Sequence, residues 1–526
     1  MRDFHFPGRS ATFAVNGMCA TSHPLAAAAA IDILKAGGNA VDAAIAGAVL
    51  LGICEPQMTG IGGDCFVLMT PPGEDRVIAL NGSGRAPAGL SAEALRAEGH
   101  SIVPKQGIAS VTIPGAIDAF CRLSADWGRS GLAASLAPAI HYAEAGVPVA
   151  PRVAADWAQD AACLRGAAQD RYLIGSQVPG VGAVFRAPGQ AEVLRRIAEY
   201  GRTAFYEGEV AEDMVASLNA LGGTHTLDDF AATASAYTDP VSGAYKGIEL
   251  VEHPPNGQGA TAILLANILS HFDLPDMEPF GVERLHIEAE ATKLAYDARN
   301  RFIADPDYTT RIAHMLAPET AAALAGLIDP ARAMAEPAKL TEEVHKDTIL
   351  LTVVDADGMK VSLIYSIFSG FGAGLASTKF GILFQNRGAG FNLTPGHPNE
   401  AGPGKRPMHT IIPAMLREAG RVTMTFGVMG GPYQATGHAR FLSNLMDYGM
   451  DLQGAIDAPR SFPWEGALRM ERNNSDAVRA KLAEMGHNVI TPDTAIGGAQ
   501  AIRIDHAKGV LEGASDPRKD GCALGY

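Results

Sequence analysis

The chain has little cysteine, no surplus of positive charge and no uninterrupted hydrophobic run, and each shortage removes a class of function. Its six cysteines (Cys19, Cys54, Cys65, Cys121, Cys163 and Cys522) include no CxxC pair, and several lie in apolar runs such as Leu51-Gly52-Ile53-Cys54. They read as small buried hydrophobes, not as a disulfide framework or a zinc site. The 15 histidines show no HExxH spacing, so no metal site is expected, nor any cofactor. Acidic residues outnumber basic ones, 57 to 42, for a formal charge of −15. Phosphate binding needs a basic surface, so neither nucleic acid nor an anionic membrane is expected as a partner. The longest apolar stretch, residues 25–53, is broken by Asp32, Lys35 and Asp42. It reads as two packed helices about Gly37-Gly38-Asn39, not as a membrane span. The start, Met1-Arg2-Asp3-Phe4-His5-Phe6-Pro7, carries no apolar signal core, which leads to an expected cytoplasmic location. Neither an internal repeat nor a low-complexity linker is visible.

What is present is a soluble globular composition, 47% apolar and 19% charged over 526 residues. That length suffices for one big domain or two to three ordinary ones. Helix-forming composition marks 24–36 and 40–52, and longer helical patterns mark 130–145, 190–200, 280–304 and 317–335. Residues 65–69 and 77–80 form a candidate strand pair across Pro71-Pro72-Gly73-Glu74. The charged run 336–346 is the best candidate for an exposed connection. After it the character changes: 348–354 and 360–367 are β-rich and flank Asp355-Ala356-Asp357-Gly358, a credible hairpin. A glycine-rich run, 370–374, precedes an apolar strand at 381–384. A further strand, 421–428, runs into Met429-Gly430-Gly431-Pro432, and a helix is expected over 435–448. Helices, a hairpin-built sheet and further helices describe an α+β layered sandwich.

The informative point is the approach His345-Lys346-Asp347 into Thr348 and its apolar strand. Threonine is a common strand residue, and that alone would account for it. A cut before Thr348 would instead give the residue a free α-amine beside its hydroxyl, so that nucleophile and base share one residue.

The chain resembles the γ-glutamyltransferase family, threonine members of the N-terminal-nucleophile hydrolases. The resemblance is carried by Ala36-Gly37-Gly38-Asn39-Ala40-Val41-Asp42-Ala43-Ala44, by Glu55-Pro56-Gln57-Met58-Thr59-Gly60-Ile61-Gly62-Gly63 and by Ala204-Phe205-Tyr206-Glu207-Gly208. Pro403-Gly404-Lys405-Arg406-Pro407, Gly430-Gly431 and Gly513-Ala514-Ser515-Asp516-Pro517-Arg518 continue it in order almost to the end. It implies a four-layer αββα sandwich. It also implies autocatalytic cleavage between Asp347 and Thr348, into a large segment 1–347 and a small segment 348–526 that together form one interleaved domain. The fragments would stay together as a heterodimer, with a dimer of heterodimers as a further expectation.

The implied chemistry follows from the residue types. The Thr348 hydroxyl attacks the Asp347 carbonyl, the chain shifts from nitrogen to oxygen, and water opens the ester. The new α-amine, with an ordinary pKa of about 7.7–8.0, then takes the hydroxyl proton and later returns it to the leaving amine. The resemblance places the oxyanion hole on the backbone amides of Gly430 and Gly431, the hydroxyl that orients the nucleophile on Ser366, and a supporting hydroxyl on Thr352.

Substrate recognition departs from the pattern. Where glutathione-hydrolysing members hold the γ-glutamyl α-amine with an amide and a carboxylate, Asn386 is kept but Arg387 and Gly390 stand in their places. An arginine there repels an ammonium group and welcomes a carboxylate. His409 and Thr410 occupy the positions of two carboxylate-holding hydroxyl residues, and Arg85 lies near the family's carboxylate-binding arginine. The segment 392–402 is short where some members carry a lid, which implies an open cleft. The partner is then a small-molecule amide bearing a carboxylate. Three readings remain open: a glutathione hydrolase or γ-glutamyltransferase-like enzyme; an amidohydrolase for an acidic acyl amide without an α-amine, of the oxamate amidohydrolase or cephalosporin (glutaryl) acylase type; and an unprocessed binding protein.

Overall fold

The computed structural model describes His5, residues 8–335 and residues 349–526. Asp347, Thr348 and the charged run 336–346 lie outside the described residues. Two seven-stranded sheets form the middle of the molecule. The first runs Cys522–Gly525, Met18–Thr21, Ile349–Val354, Lys360–Ser366, Asp64–Thr70, Ile78–Gly82, Ala236–Thr238. The second runs Thr12–Ala14, Val510–Ser515, Gly498–Asp505, Arg421–Met429, Ala414–Glu418, Ile248–Glu252, Val241–Tyr245. Strands from before residue 336 and after residue 348 are therefore hydrogen-bonded neighbours in both sheets.

Alternation along the strands builds four layers. Along Ile349–Val354, Ile349, Leu351 and Val353 pack with the helices Pro24–Lys35 and Ala40–Cys54, while Leu350 turns to the other side and meets Ile411 and Met429. Leu68 and Ala79 of the first sheet, with Val77 just before its strand, likewise meet Val251, Met415 and Val422 of the second. The outer face of the second sheet is covered by the helices Gly259–Leu269, Val282–Phe302 and Tyr433–Met446. A strand buried on both faces must be apolar on both, which is why these strands read as continuous hydrophobic runs. The result is an αββα sandwich. Among the described residues no helix is long and apolar enough to cross a membrane.

The motif around Asn39 is a helix start. The Asn39 side chain accepts the N–H groups of Val41 and Asp42, and Asp42 Oδ2 accepts the Asn39 N–H at 3.0 Å. This reciprocal cap lets a fifteen-residue helix lie wholly buried.

Two sequence expectations are corrected. The helical pattern 317–335 yields a helix only over Pro318–Ala325; Gly326 closes it, and Pro330 holds Asp329 away from helical geometry. The apolar run 381–384 is not a strand but part of an irregular loop with a single bridge, Ala376 to Leu383. All six cysteines are free, but Cys121 and Cys522 are only partly buried, unlike the other four.

Candidate active site

The hairpin of Ile349–Val354 and Lys360–Ser366 delivers the first pair of groups. Ile349, to which Thr348 is covalently joined, pairs with Tyr365, and the next residue on the partner strand, Ser366, pairs with Asp64. Ser366 is fully buried, and its Oγ accepts two hydrogen bonds, from the Phe368 N–H at 2.9 Å and from the Arg387 guanidinium at 3.1 Å. With both lone pairs engaged, the hydroxyl can act further only as a donor. Thr352 is more ordinary: its hydroxyl donates to the Val361 carbonyl of the neighbouring strand at 3.3 Å.

The Gly62-Gly63 pair is explained by close approach. A Cβ on Gly62 would stand 1.9 Å from the Leu383 carbonyl oxygen, and one on Gly63 would stand 2.4 Å from that of Ser366. Only glycine lets the loop over 370–391 settle against the hairpin end. That loop brings in Arg387, which is fully buried and lies over the Phe368 ring at 4.3 Å. Besides Ser366, Arg387 donates to Thr410 Oγ1 at 3.2 Å, while its Nε has no partner among the described residues. Burial pulls the guanidinium down to about 9, against the charge of Asp64.

Asp64 is the main group that sequence reasoning missed. Its Oδ1 accepts the N–H of Gly84 at 2.8 Å, the N–H of Gly115 at 3.0 Å and the Gln385 side-chain amide at 2.9 Å. Its Oδ2 faces His409 Nε2 at 3.4 Å without a formed hydrogen bond. Burial raises the carboxyl, while Arg387 and the three donors oppose the shift. The sequence signal was an acid standing directly between a glycine pair and the apolar run Cys65-Phe66-Val67-Leu68-Met69. Asp64 brings an acid into this group from another strand, while position 390 is a glycine.

His409 is buried against Phe66, whose ring is 4.5 Å away. Its Nδ1 accepts the Ile411 N–H at 3.4 Å, so the neutral ring carries its hydrogen on Nε2. Burial, Arg387 and His253 together hold it well below the ordinary histidine range, in the neutral form.

Gly430 and Gly431 lie at the junction of the strand Arg421–Met429 and the helix Tyr433–Met446, with φ of +121° and +54°. Among the described residues neither donates its backbone N–H to a hydrogen bond. Both stand at the positive end of a fourteen-residue helix, where developing negative charge is favoured. Met429, the preceding residue, packs with Leu350 in one cluster, which holds this turn beside the hairpin. Gln258, also missed, ties the two halves together: its side-chain amide donates to the carbonyls of Thr410 at 2.7 Å and Gly431 at 3.2 Å, and accepts from Arg299 at 3.0 Å.

Two further candidates stand apart. Both ends of the Asn386 amide are bound to backbone, the oxygen by the Ser369 N–H at 3.0 Å and the nitrogen to the Lys105 carbonyl at 2.6 Å. Arg85 is partly exposed and pairs with the Gly404 carbonyl at 2.8 Å and with Asp305 at 3.4 Å. The expected open cleft does not reach Arg387 or His409. Instead the segment 392–402 is folded down, with Asn399 donating to the Gly390 carbonyl at 2.6 Å and accepting from the Met408 N–H at 2.9 Å. A cleft of about 330 Å³ opens beside the group, between Ser369, Asn386, Lys105 and Asp160.

Residues 26–526 match the family model for gamma-glutamyltranspeptidase. The chain belongs to the γ-glutamyltranspeptidase family. It is 36% identical to the glutathione hydrolase-like YwrD proenzyme of Bacillus subtilis (strain 168), over 97% of this chain and 98% of that protein. It is 35% identical to the oxamate amidohydrolase proenzyme of Klebsiella pneumoniae, over 98% of this chain and 100% of that protein. The crystal structure of cephalosporin acylase from Bacillus halodurans superposes with a TM-score of 0.90 at 37% identity, covering 100% of this chain and 99% of that one. This family member is accordingly an enzyme acting on amide bonds, a hydrolase or transferase of the N-terminal-nucleophile fold.

Proposed function

We propose that this family member cuts itself between Asp347 and Thr348 and then hydrolyses a small amide whose acyl part carries a carboxylate and no α-amine. The observation that carries the substrate class is the buried Arg387. It is anchored on Ser366 and Thr410, and among the described residues its Nε–H has no hydrogen-bond partner. A spare donor on a buried cation suits an anionic acceptor, and a guanidinium fork matches a carboxylate in particular.

In this reading the Thr348 hydroxyl attacks the amide carbon as its own α-amine takes the proton. The carbonyl oxygen becomes an oxyanion held by the N–H groups of Gly430 and Gly431. Collapse passes the proton to the leaving amine and leaves an acyl-threonine ester, which water or an acceptor amine opens. Ser366, held by Phe368 and Arg387, orients the nucleophile.

A γ-glutamyl substrate is favoured by one observation. Asp64 Oδ2, without a hydrogen-bond partner among the described residues, is an acidic acceptor, and an ammonium group would suit it. Three donors on its other oxygen and the charge of Arg387 already act on that carboxylate, although burial still raises it, and the acidic acyl reading stands first. Oxamate, glutaryl amides and glutathione assayed side by side on the purified enzyme decide between them. Preference for oxamate or a glutaryl amide is expected; release of glutamate from glutathione at the highest kcat/KM sinks the first reading.

A further inference from the structure

In the first half of the helix Val282–Phe302, His286 and Glu290 stand four residues apart and so leave the same face. Both are buried, and a third buried group, His487, reaches them from just beyond the helix Asp476–Glu484. One nitrogen of each imidazole and one carboxylate oxygen lie within 4.8 Å of one another.

The hydrogen bonds decide which atoms face inward. His286 Nε2 lies 2.8 Å from the Asp329 carbonyl. A carbonyl only accepts, so this nitrogen carries the hydrogen and Nδ1 presents a lone pair. That Nδ1 is 2.8 Å from His487 Nε2, which supplies the shared proton. Glu290 Oε1 lies 3.9 Å from His487 Nε2 and 2.7 Å from the Lys293 ammonium. Its Oε2 accepts the Met334 N–H at 2.7 Å.

We propose that His286 Nδ1, His487 Nε2 and Glu290 Oε1 form a binding site for a divalent ion of the zinc class. Two neutral imidazoles and a carboxylate are the donor set such ions take, with bonds of about 2.0–2.2 Å. A tetrahedral ion then needs its ligand atoms roughly 3.3 Å apart, so each imidazole moves only slightly. His286 is already oriented as a metal ligand is, by a carbonyl on its far nitrogen. Binding asks two further changes. The shared proton moves from Nε2 to Nδ1 of His487, and the Lys293 ammonium swings outward on its flexible, partly exposed stem.

The ion would join distant parts of the chain. His286 and Glu290 precede residues 336–348, and His487 follows them. Glu290 and Lys293 hold Met334, and Ala333 donates its N–H to the Met485 carbonyl at 2.8 Å. Resting on the cleavage proposed above, the ion becomes a cross-link between the two fragments; the site itself stands without that reading.

The test uses the full-length protein, dialysed against a chelator and titrated with zinc chloride alone. Bound zinc is counted by mass spectrometry after gel filtration, and the thermal midpoint is followed. One retained zinc per chain and a raised midpoint are expected. His487→Gln and Glu290→Gln should each weaken zinc at least about tenfold, whereas Lys293→Met, which removes the competing cation, should tighten it. Should a variant fold poorly, cobalt(II) on the wild-type chain decides: strong visible absorption marks a tetrahedral nitrogen-oxygen site, weak absorption a solvated ion. Substoichiometric zinc on the wild-type chain, weak cobalt absorption, unchanged binding in His487→Gln, or no tightening in Lys293→Met each overturn the proposal. None of these readouts uses substrate, so their failure leaves the amidohydrolase reading untouched.

Discussion

The Arg387 guanidinium donates to the Ser366 hydroxyl across 3.1 Å, both groups fully buried. The cation that would select the substrate is thereby part of the same unit as the hydroxyl that would orient the nucleophile. Arg387→Gln leaves Ser366 short of a donor as well as removing charge. We expect kcat to fall along with a rise in KM, and kcat/KM on an acidic acyl amide to drop roughly thirtyfold or more, from a loss of about 2 kcal/mol. A change confined to KM in steady-state kinetics would separate the two roles and count against the unit. Restoring an acid through Gly390→Asp is not a clean companion, because a Cβ there would lie 2.5 Å from the Met408 carbonyl oxygen.

Thr348→Ala should leave one intact chain on a denaturing gel and no turnover, since in the proposed mechanism both cleavage and catalysis use its hydroxyl. Thr348→Ser should still give two fragments and a reduced rate. Edman sequencing that finds a fragment starting at Thr348 is the expected result for the wild type. Processing and turnover that survive alanine at 348 would remove the basis of the mechanism.

Gly430→Ala should be more damaging than Gly431→Ala. Its φ of +121° is one that side-chain-bearing residues rarely adopt, and its Cβ would come 2.9 Å from the Cα of Gly497. Displacing one oxyanion donor raises the barrier by about 3–4 kcal/mol, seen in kcat with KM little changed. Equal, small effects of the two substitutions would argue for a purely structural turn.

Glu55 gives a dependence on pH. Burial raises its carboxyl to about 7, opposed by Lys519 and by the Ser22 hydroxyl that donates to it at 2.7 Å. Because the folded chain holds this proton more tightly than the unfolded chain, stability falls as pH rises from about 4.5 to about 7 and is level above. At about 1.4 kcal/mol per unit, the contribution is on the order of 3 kcal/mol. Glu55→Gln, which still accepts from Ser22, should therefore raise the thermal midpoint at pH 8 and leave it little changed at pH 4.5. Equal gains at both values would place the effect elsewhere.

Much of this was legible in the residues. The helices near 24–36 and 40–52 follow from local composition, the hairpin before Ser366 and the strand leading to Gly430 from β-rich runs and turn residues, and the ordered motifs carried the family. The misreadings share a cause. The run 381–384 has a strand's composition but lies against Gly62 and the hairpin end, where no continuous edge is offered to it. The pattern 317–335 keeps apolar residues at helical spacing past Gly326 and Pro330, which end the helix regardless.

Local order and the family were thus set by the sequence alone, because helix caps, strand alternation and short ordered motifs act between near neighbours. Which side chains meet was decided only in three dimensions. Asp64 meets Gln385 and His409, Gln258 joins Thr410 to Gly431, and His487 joins His286, each across a long span of chain. Sheet register and sandwich packing bring them together, and both arise from burying two apolar faces at once, a condition no single stretch of chain contains.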